Sequence, residues 1–359
     1  MHRSMLVLAA LALVSACGDS SKTAGGKDSA AAGSPATATS SGADLTGAGA
    51  TFPYPLYSKW FDAYATKSGV KINYQSIGSG GAIRQLSEQT VDFGASDAPM
   101  SDAELAKAKG GPVLHIPTAL GAVTMVYNLP EVTSPLKLTG EVIAGIYQGQ
   151  ITKWNDARIA ALNPGVKLPA TDILVVHRSD GSGTSYVFTD YLANVSPAWA
   201  AKPGKGKEVQ WPVGLGAKGN EGVAGQVKQT PGAIGYVELA YATQNKMAMA
   251  SVKNASGEFV APSIASVTAA AAGAASKLPA TTDYRVSIVN APGAGVYPIS
   301  SFTWIIAYAK QADPAKGKKL TDFLRWALND GQGMESALDY APLPEGMRTA
   351  LLTRVDSIK

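Results

Sequence analysis

The sequence predicts an α/β protein of roughly two domains, and three observations lead there. Apolar, β-rich segments alternate with segments of helical spacing along most of the chain. Its 359 residues exceed a single core, since domains run to about 100–200 residues. With 46% apolar residues and a single cysteine, those cores must be held by hydrophobic burial and not by disulfides.

The elements follow in order. Val70–Gln75 alternates like a strand, Ala82–Gln89 has helical spacing, Val91–Ala95 reads as a short buried strand, and Ser101–Lys109 as a capped helix. The rhythm continues with a strand over Ala122–Tyr127, a helix over Gly140–Tyr147, a strand over Ile173–His177 and a helix over Ser185–Asn194. Strands at Gly232–Val237 and Phe302–Tyr308 precede two closing helices, Pro314–Asn329 and Pro344–Val355. Met247 and Met249 alternate like strand residues, and Ile264–Ala275, rich in Ala, fits a small-residue surface helix. No repeat of 20–50 residues is visible, which argues against a solenoid.

Composition narrows the function. A net charge of +4 with 16% charged residues supplies no basic field for a nucleic-acid backbone. One cysteine and three histidines rule out a multi-cysteine zinc site, so neither a metal nor a cofactor is expected. At the N-terminus a polar start carrying Arg3 precedes the apolar run Met5–Val14, too short to span a bilayer. Residues 1–16 therefore read as a signal peptide. The run ends in Val14-Ser15-Ala16-Cys17, which resembles the lipobox of bacterial lipoproteins, in which the cysteine is lipidated and becomes the mature N-terminus; an ordinary cleavage site is the alternative. Residues 17–43, mostly Gly, Ser, Ala and Thr, lack the apolar surface to offset their ordering entropy and are expected to be a flexible tether.

In open α/β sheets ligands bind beyond the carboxyl ends of strands, so the strand-to-helix loops carry the chemistry. Gly47-Ala48-Gly49-Ala50-Thr51-Phe52-Pro53-Tyr54-Pro55 leads into a helix whose first turn tolerates proline. Ile77-Gly78-Ser79-Gly80-Gly81 offers a hydroxyl and glycine N–H groups at a helix N-terminus, a geometry suited to anions. Asp92-Phe93-Gly94-Ala95-Ser96-Asp97-Ala98-Pro99 ends a strand with a carboxylate, Asp97, whose alternative role is to cap the following helix. The fourth loop, His177-Arg178-Ser179-Asp180-Gly181-Ser182-Gly183-Thr184-Ser185, gathers a guanidinium, a carboxylate and several hydroxyls on one turn.

Gly47–Pro53, Val91–Pro99 and Asp180–Ser185 together closely resemble the phosphate-binding proteins of bacterial phosphate-specific ABC transporters. Trp211–Gly216, Pro231–Glu238 and Leu338–Ala341 extend the likeness, which runs from Leu45 to near Lys359. The resemblance implies an α/β, two-lobed periplasmic-binding-protein (type II) clamp, each lobe a mixed sheet flanked by helices with a hinge between. Its lobes would be residues 44–118 plus 297–359, and 119–296. It implies that phosphate is held at Thr51, Phe52 (through its main-chain N–H), Ser79, Asp97, Arg178, Ser182, Gly183 and Thr184, with Asp180 orienting Arg178. It implies high-affinity capture in the periplasm or at the cell surface by a lipid-anchored monomer, and delivery to ABC permease subunits. His177 stands where many relatives carry another basic residue, and is expected on the opposite strand face.

Asp97 repels an anion unless the ligand keeps a proton to donate, which hydrogen phosphate does and sulfate does not; this makes Asp97 the expected selectivity element. The competing class is an extracellular phosphoester hydrolase, which requires an activated nucleophile. Ser182 lacks the glycine two positions earlier that a nucleophile elbow needs, because Asp180 stands there. No catalytic residue is expected.

Overall fold

The computed structural model describes residues 44–274 and 282–359. The expected signal peptide of residues 1–16, Cys17 and the tether of residues 17–43 lie outside the described residues. Strands are β1 (Leu45–Gly49), β2 (Ile72–Ser76), β3 (Phe93–Ser96), β4 (Val113–Tyr127), β5 (Lys137–Leu138) and β6 (Leu174–Arg178), then β7 (Leu215–Ala217), β8 (Ala233–Glu238), β9 (Ala248–Met249), β10 (Ser251–Lys253), β11 (Phe259–Val260) and β12 (Ser300–Tyr308). Helices are α1 (Tyr54–Ser68), α2 (Ser79–Ser87), α3 (Asp102–Leu105), α4 (Gly140–Tyr147), α5 (Ala157–Leu162) and α6 (Gly183–Val195), then α7 (Pro197–Ala201), α8 (Gly219–Gln229), α9 (Leu239–Gln244), α10 (Ile264–Gly273), α11 (Pro314–Asn329) and α12 (Glu345–Val355).

The pairing divides into two similar units. In the first, β1 lies in the middle and pairs in parallel with β2, Leu45 opposite Ile72, and with β3, Gly47 opposite Phe93. In the second, β6 takes the middle and pairs in parallel with β7, Val176 opposite Leu215, and with β8, Leu174 opposite Ala233. Strand β4 joins them: Val113–Ala122 pairs antiparallel with β12, and Val123–Tyr127 pairs antiparallel with β8. Because β12 also pairs with β3, the path reads β2-β1-β3-β12-β4-β8-β6-β7, with β9 beside β4 and a small separate sheet β11-β10-β5. Among the described residues no helix is long and apolar enough to cross a membrane.

Each unit has its own aromatic packing. Helix α1 buries Leu56, Tyr57, Trp60, Phe61 and Tyr64; Trp60 stacks on Tyr57 at 5.5 Å and donates its indole N–H to the Gly331 carbonyl at 2.9 Å. Helix α11 closes over it with Leu320, Phe323, Leu324, Ala327 and Leu328. In the second unit Phe188 of α6 stacks on Tyr236 of β8 at 4.3 Å. Each such ring, once buried, stabilises the fold by roughly 1.5–3 kcal/mol.

Three elements differ from expectation. The helix expected over Ser101–Lys109 runs only from Asp102 to Leu105, although its Ser101/Glu104 capping box forms. None of its residues is buried and Leu105 packs only partly against the core, too small an apolar contact to propagate a helix. The strand expected over Ala122–Tyr127 begins at Val113 instead. Pro117 interrupts the sequence pattern, but it sits at a bulge where the β4–β12 register shifts between Thr303 and Trp304, a position that proline tolerates. Helix α10 is not purely a surface helix, because Val267, Ala270 and Ala271 are buried on its inner face.

Gly49 closes β1 with φ +152°, and a Cβ there would stand 2.1 Å from the Ala95 carbonyl oxygen. The neighbouring backbone cannot give way, since Ala50 N–H donates to that same oxygen at 2.9 Å and the Gly49 carbonyl accepts from Ile77 and Gly78. Gly49→Ala is expected to destabilise the protein by about 2–4 kcal/mol, read from the urea midpoint; a shift under about 0.5 kcal/mol would show that the strand end can relax.

Candidate functional site

Parallel strands end on one edge, so the loops after β1, β2 and β3 all reach the same side of the first unit, and those after β6, β7 and β8 the same side of the second. Thr51 follows β1, Ser79 opens α2 after β2, and Asp97 follows β3; each is buried. From the second unit come Arg178 at the end of β6 and Ser182, Gly183 and Thr184 at the start of α6, also buried. The structure thus brings together the side chains that the sequence singled out. The Phe52 ring is buried against the position of Gly121, and its carbonyl accepts from the Tyr340 hydroxyl at 2.6 Å.

The two units meet at this edge. Gly183 packs so closely on the first unit that a Cβ would lie 2.5 Å from both Asp97 Oδ2 and Ser79 Oγ. Gly80 N–H donates to the Gly181 carbonyl at 2.8 Å. Nearer the surface, Lys207 pairs with Glu104 at 2.8 Å and Arg285 with Asp102 at 2.7 Å.

The site is rich in donors. Ser182 caps α6 by accepting from Ser185 N–H at 3.0 Å, which leaves the N–H groups of the first helical turn, at Gly183 and Thr184, without an intrahelical acceptor. These groups carry the positive end of the helix dipole. The Arg178 guanidinium is fixed by two bonds to Asp180, Nε to Oδ1 at 2.8 Å and Nη2 to Oδ2 at 2.6 Å. Burial pushes the Asp180 carboxyl up, but the guanidinium bonds and the Gly219 N–H outweigh it and hold it below the ordinary carboxylate range. Arg178 N–H donates to the Tyr236 hydroxyl at 3.1 Å, anchoring the backbone behind the charge.

Asp97 is the exception among these donors. Its Oδ1 accepts from the Thr303 hydroxyl at 2.8 Å, while Oδ2 is buried with no partner among the described residues. Burial pushes its pKa up to about 7, despite the Thr303 bond and the attraction of Arg178. Asp97 does not cap the short α3, whose N-cap is Ser101.

Asn220 and Glu238 belong to the same edge and escape a reading by motif. Asn220 lies in α8 just after β7, the second unit's counterpart of Ser79, and Glu238 ends β8, the counterpart of Asp97. Both are fully buried. The signal that could have found Asn220 is Lys218-Gly219-Asn220 after the short strand β7, another strand-to-helix loop. His177 stacks on Trp211 at 4.8 Å with its ring nearly parallel. His115 is buried in β4 and accepts from Met100 N–H at 3.0 Å; burial lowers its pKa to about 4.

Gly183→Ala is expected to prop the two units apart at Asp97 and Ser79, weakening anion binding at least about tenfold, the equivalent of about 1.4 kcal/mol. Titration calorimetry with the melting temperature as control checks this; native affinity would mean that the contact is not part of the bound state.

The chain matches the model of the PBP superfamily domain over residues 30–330. It is 48% identical over 299 residues to the phosphate-binding protein PstS of Xylella fastidiosa strain Temecula1, covering 83% of this chain and 81% of the relative. It is 47% identical over 297 residues to the phosphate-binding protein PstS of Pasteurella multocida, covering 82% and 85%. A solved phosphate-binding protein from Stenotrophomonas maltophilia shares the fold with a TM-score of 0.67 at 23% identity, over 86% of this chain and 93% of that one. Built from two strand-edge units joined through β4, with a buried donor cluster between them, this chain belongs to the PstS phosphate-binding-protein family of the PBP superfamily.

Proposed function

We propose that the protein binds inorganic phosphate outside the cytoplasm and delivers it to the permease of an ABC transporter. The observation that carries this reading is one buried acceptor, Asp97 Oδ2, set among hydroxyls, helix-end N–H groups and the Arg178 guanidinium. A tetrahedral dianion offers acceptors to every donor and, if it keeps a proton, one donor for that carboxylate. Charge-assisted bonds are worth roughly 1.5–3 kcal/mol each, so a handful offsets the lost hydration. The names of the relatives point the same way.

On this reading Thr51, the Phe52 N–H, Ser79 and Asp97 hold the anion from one side and Arg178, Ser182, Gly183 and Thr184 from the other, with Asp180 orienting Arg178. The division into lobes of residues 44–118 plus 297–359 and residues 119–296 is supported by the change of partner along β4 at Ala122/Val123. A ligand that bridges the lobes binds their closed arrangement better and shifts the population toward it, giving a permease a shape to recognise. The chain would act as a monomer, tethered through lipidated Cys17 after removal of residues 1–16. Binding without turnover fits the histidines: His115 Nε2 is occupied by a backbone N–H and His177 lies against Trp211, so neither stands ready to activate a nucleophile.

Calorimetric titration with phosphate and sulfate tests the reading. Phosphate is expected to bind tightly and sulfate poorly at pH 8. Because burial places the Asp97 pKa at about 7, lowering the pH from 8 to 6 protonates Asp97, converts its repelling oxygen into a donor, and is expected to strengthen sulfate binding. Asp97→Asn should show that sulfate affinity already at pH 8 and lose the pH dependence; sulfate binding that ignores both changes would remove the selectivity role from Asp97. Arg178→Ala is expected to weaken phosphate by about 3 kcal/mol, since it strips a buried charge from its partner. A loss under about tenfold would mean that Arg178 serves Asp180 and not the anion.

A further inference from the structure

We infer that Asn220 is a positioning residue that makes the hydroxyls of Thr51 and Thr184 hydrogen-bond donors toward the anion, and that for Thr51 it does so only when the two units are together; this rests on the phosphate reading above. A hydroxyl has one hydrogen to give and two lone pairs to fill. Thr51 Oγ1 accepts from the Asn220 backbone N–H at 3.1 Å and from Asn220 Nδ2 at 2.8 Å. Both lone pairs are engaged, so its hydrogen must point elsewhere. Thr184 Oγ1 accepts from the same Nδ2 at 3.0 Å and from Arg178 Nη1 at 3.4 Å. The two amide hydrogens are thereby shared between a threonine of the first unit and one of the second.

The orientation of the amide is dictated by its other end. Asn220 Oδ1 accepts from Glu238 N–H at 2.9 Å, and a flipped amide would set two donors against each other. Glu238 is itself fixed, because its Oε2 accepts from Ala240 N–H at 2.8 Å at the start of α9. From that helix the Tyr241 hydroxyl donates to the Thr51 carbonyl at 2.6 Å, holding the Thr51 backbone against the second unit. The other two hydroxyls of the site are polarised in the same sense by local donors: Ser182 by Ser185 N–H at 3.0 Å and Ser79 by Asp97 N–H at 3.3 Å. Asn220 differs in spanning both units, so the donor polarity of Thr51 depends on their approach. A ligand with hydrogens to donate would leave these hydroxyls unpaired, which costs affinity in a dry site.

A double-mutant cycle on the full chain, read as the phosphate dissociation constant with the ligand-free melting temperature as control, tests this. Asn220→Ala is expected to weaken phosphate at least about tenfold, the value of one charge-assisted donor. In the Thr51→Val background the same change should cost at least about threefold less, because one of its two targets is gone, while in Thr51→Ser, which keeps the hydroxyl, it should cost the full amount. Asn220→Asp keeps the shape and the acceptor for Glu238 N–H but offers the threonines an acceptor in place of a donor, and is expected to weaken phosphate more than Asn220→Ala; the cycle can be run with it if the alanine variant does not fold. Losses that multiply independently of Thr51, or either Asn220 variant binding within about twofold of the parent, would overturn the role of Asn220 while leaving the phosphate reading intact. A parent chain that does not bind phosphate would bring down that reading and this inference with it.

Discussion

An unpartnered carboxylate oxygen, Asp97 Oδ2, is buried where the two halves of the molecule meet, and most of the surrounding architecture is constrained by it. Burying a carboxyl that no cation pairs with directly raises its pKa, and here burial carries it to about 7. The fold keeps Arg178 from simply neutralising it: the guanidinium is tied to Asp180 by two bonds and held in register by Tyr236. On the proposed reading the acid then discriminates and the cation attracts. Were Arg178 free to pair with Asp97, the site would be a closed salt bridge with nothing to offer a ligand.

The two units solve this by division of labour. The first contributes the acid and two hydroxyls from loops after β1, β2 and β3; the second contributes the cation and the α6 N-terminus. On the proposed reading neither half encloses the anion alone. Strand β4, paired with β12 over one part and β8 over the other, makes the joint a continuous piece of sheet, while the cross-contacts at Gly80, Gly183, Lys207 and Arg285, like those of Thr51 with Asn220 and Tyr241, lie outside that joint and are contacts that a movement of the units would break.

Much of this was legible in the residues. Gly47–Pro53, Val91–Pro99 and Asp180–Ser185 are local motifs whose hydroxyls, glycines and charges sit within a few positions of one another, so they stand out in the sequence, and the resemblance they carry supplied their expected role. Helix α11 and strand β12 have strong periodicity and packed faces, and their extents match the pattern closely. The failures share a different cause. Helix α3 has a complete cap but packs on the core only partly, through Leu105, and β4 contains a proline that a bulge accommodates; in each case the tertiary neighbours overrode local preference. Asn220 was missed because its strand-to-helix loop follows a strand of only three residues, and its role emerges once Thr51, 169 residues away, is placed beside it.

What the sequence by itself determined is the inventory: an α/β rhythm, a leader-like N-terminus, and loops carrying one guanidinium, one lone acid and a set of hydroxyls, because these depend on side-chain chemistry and on periods of two and 3.6 residues. The tertiary structure alone decided the direction in which each group acts. Whether a threonine gives or receives a hydrogen bond, and whether an aspartate is charged at neutral pH, depends on which donors and how much water surround it, and those neighbours are supplied by chain segments that only folding brings together.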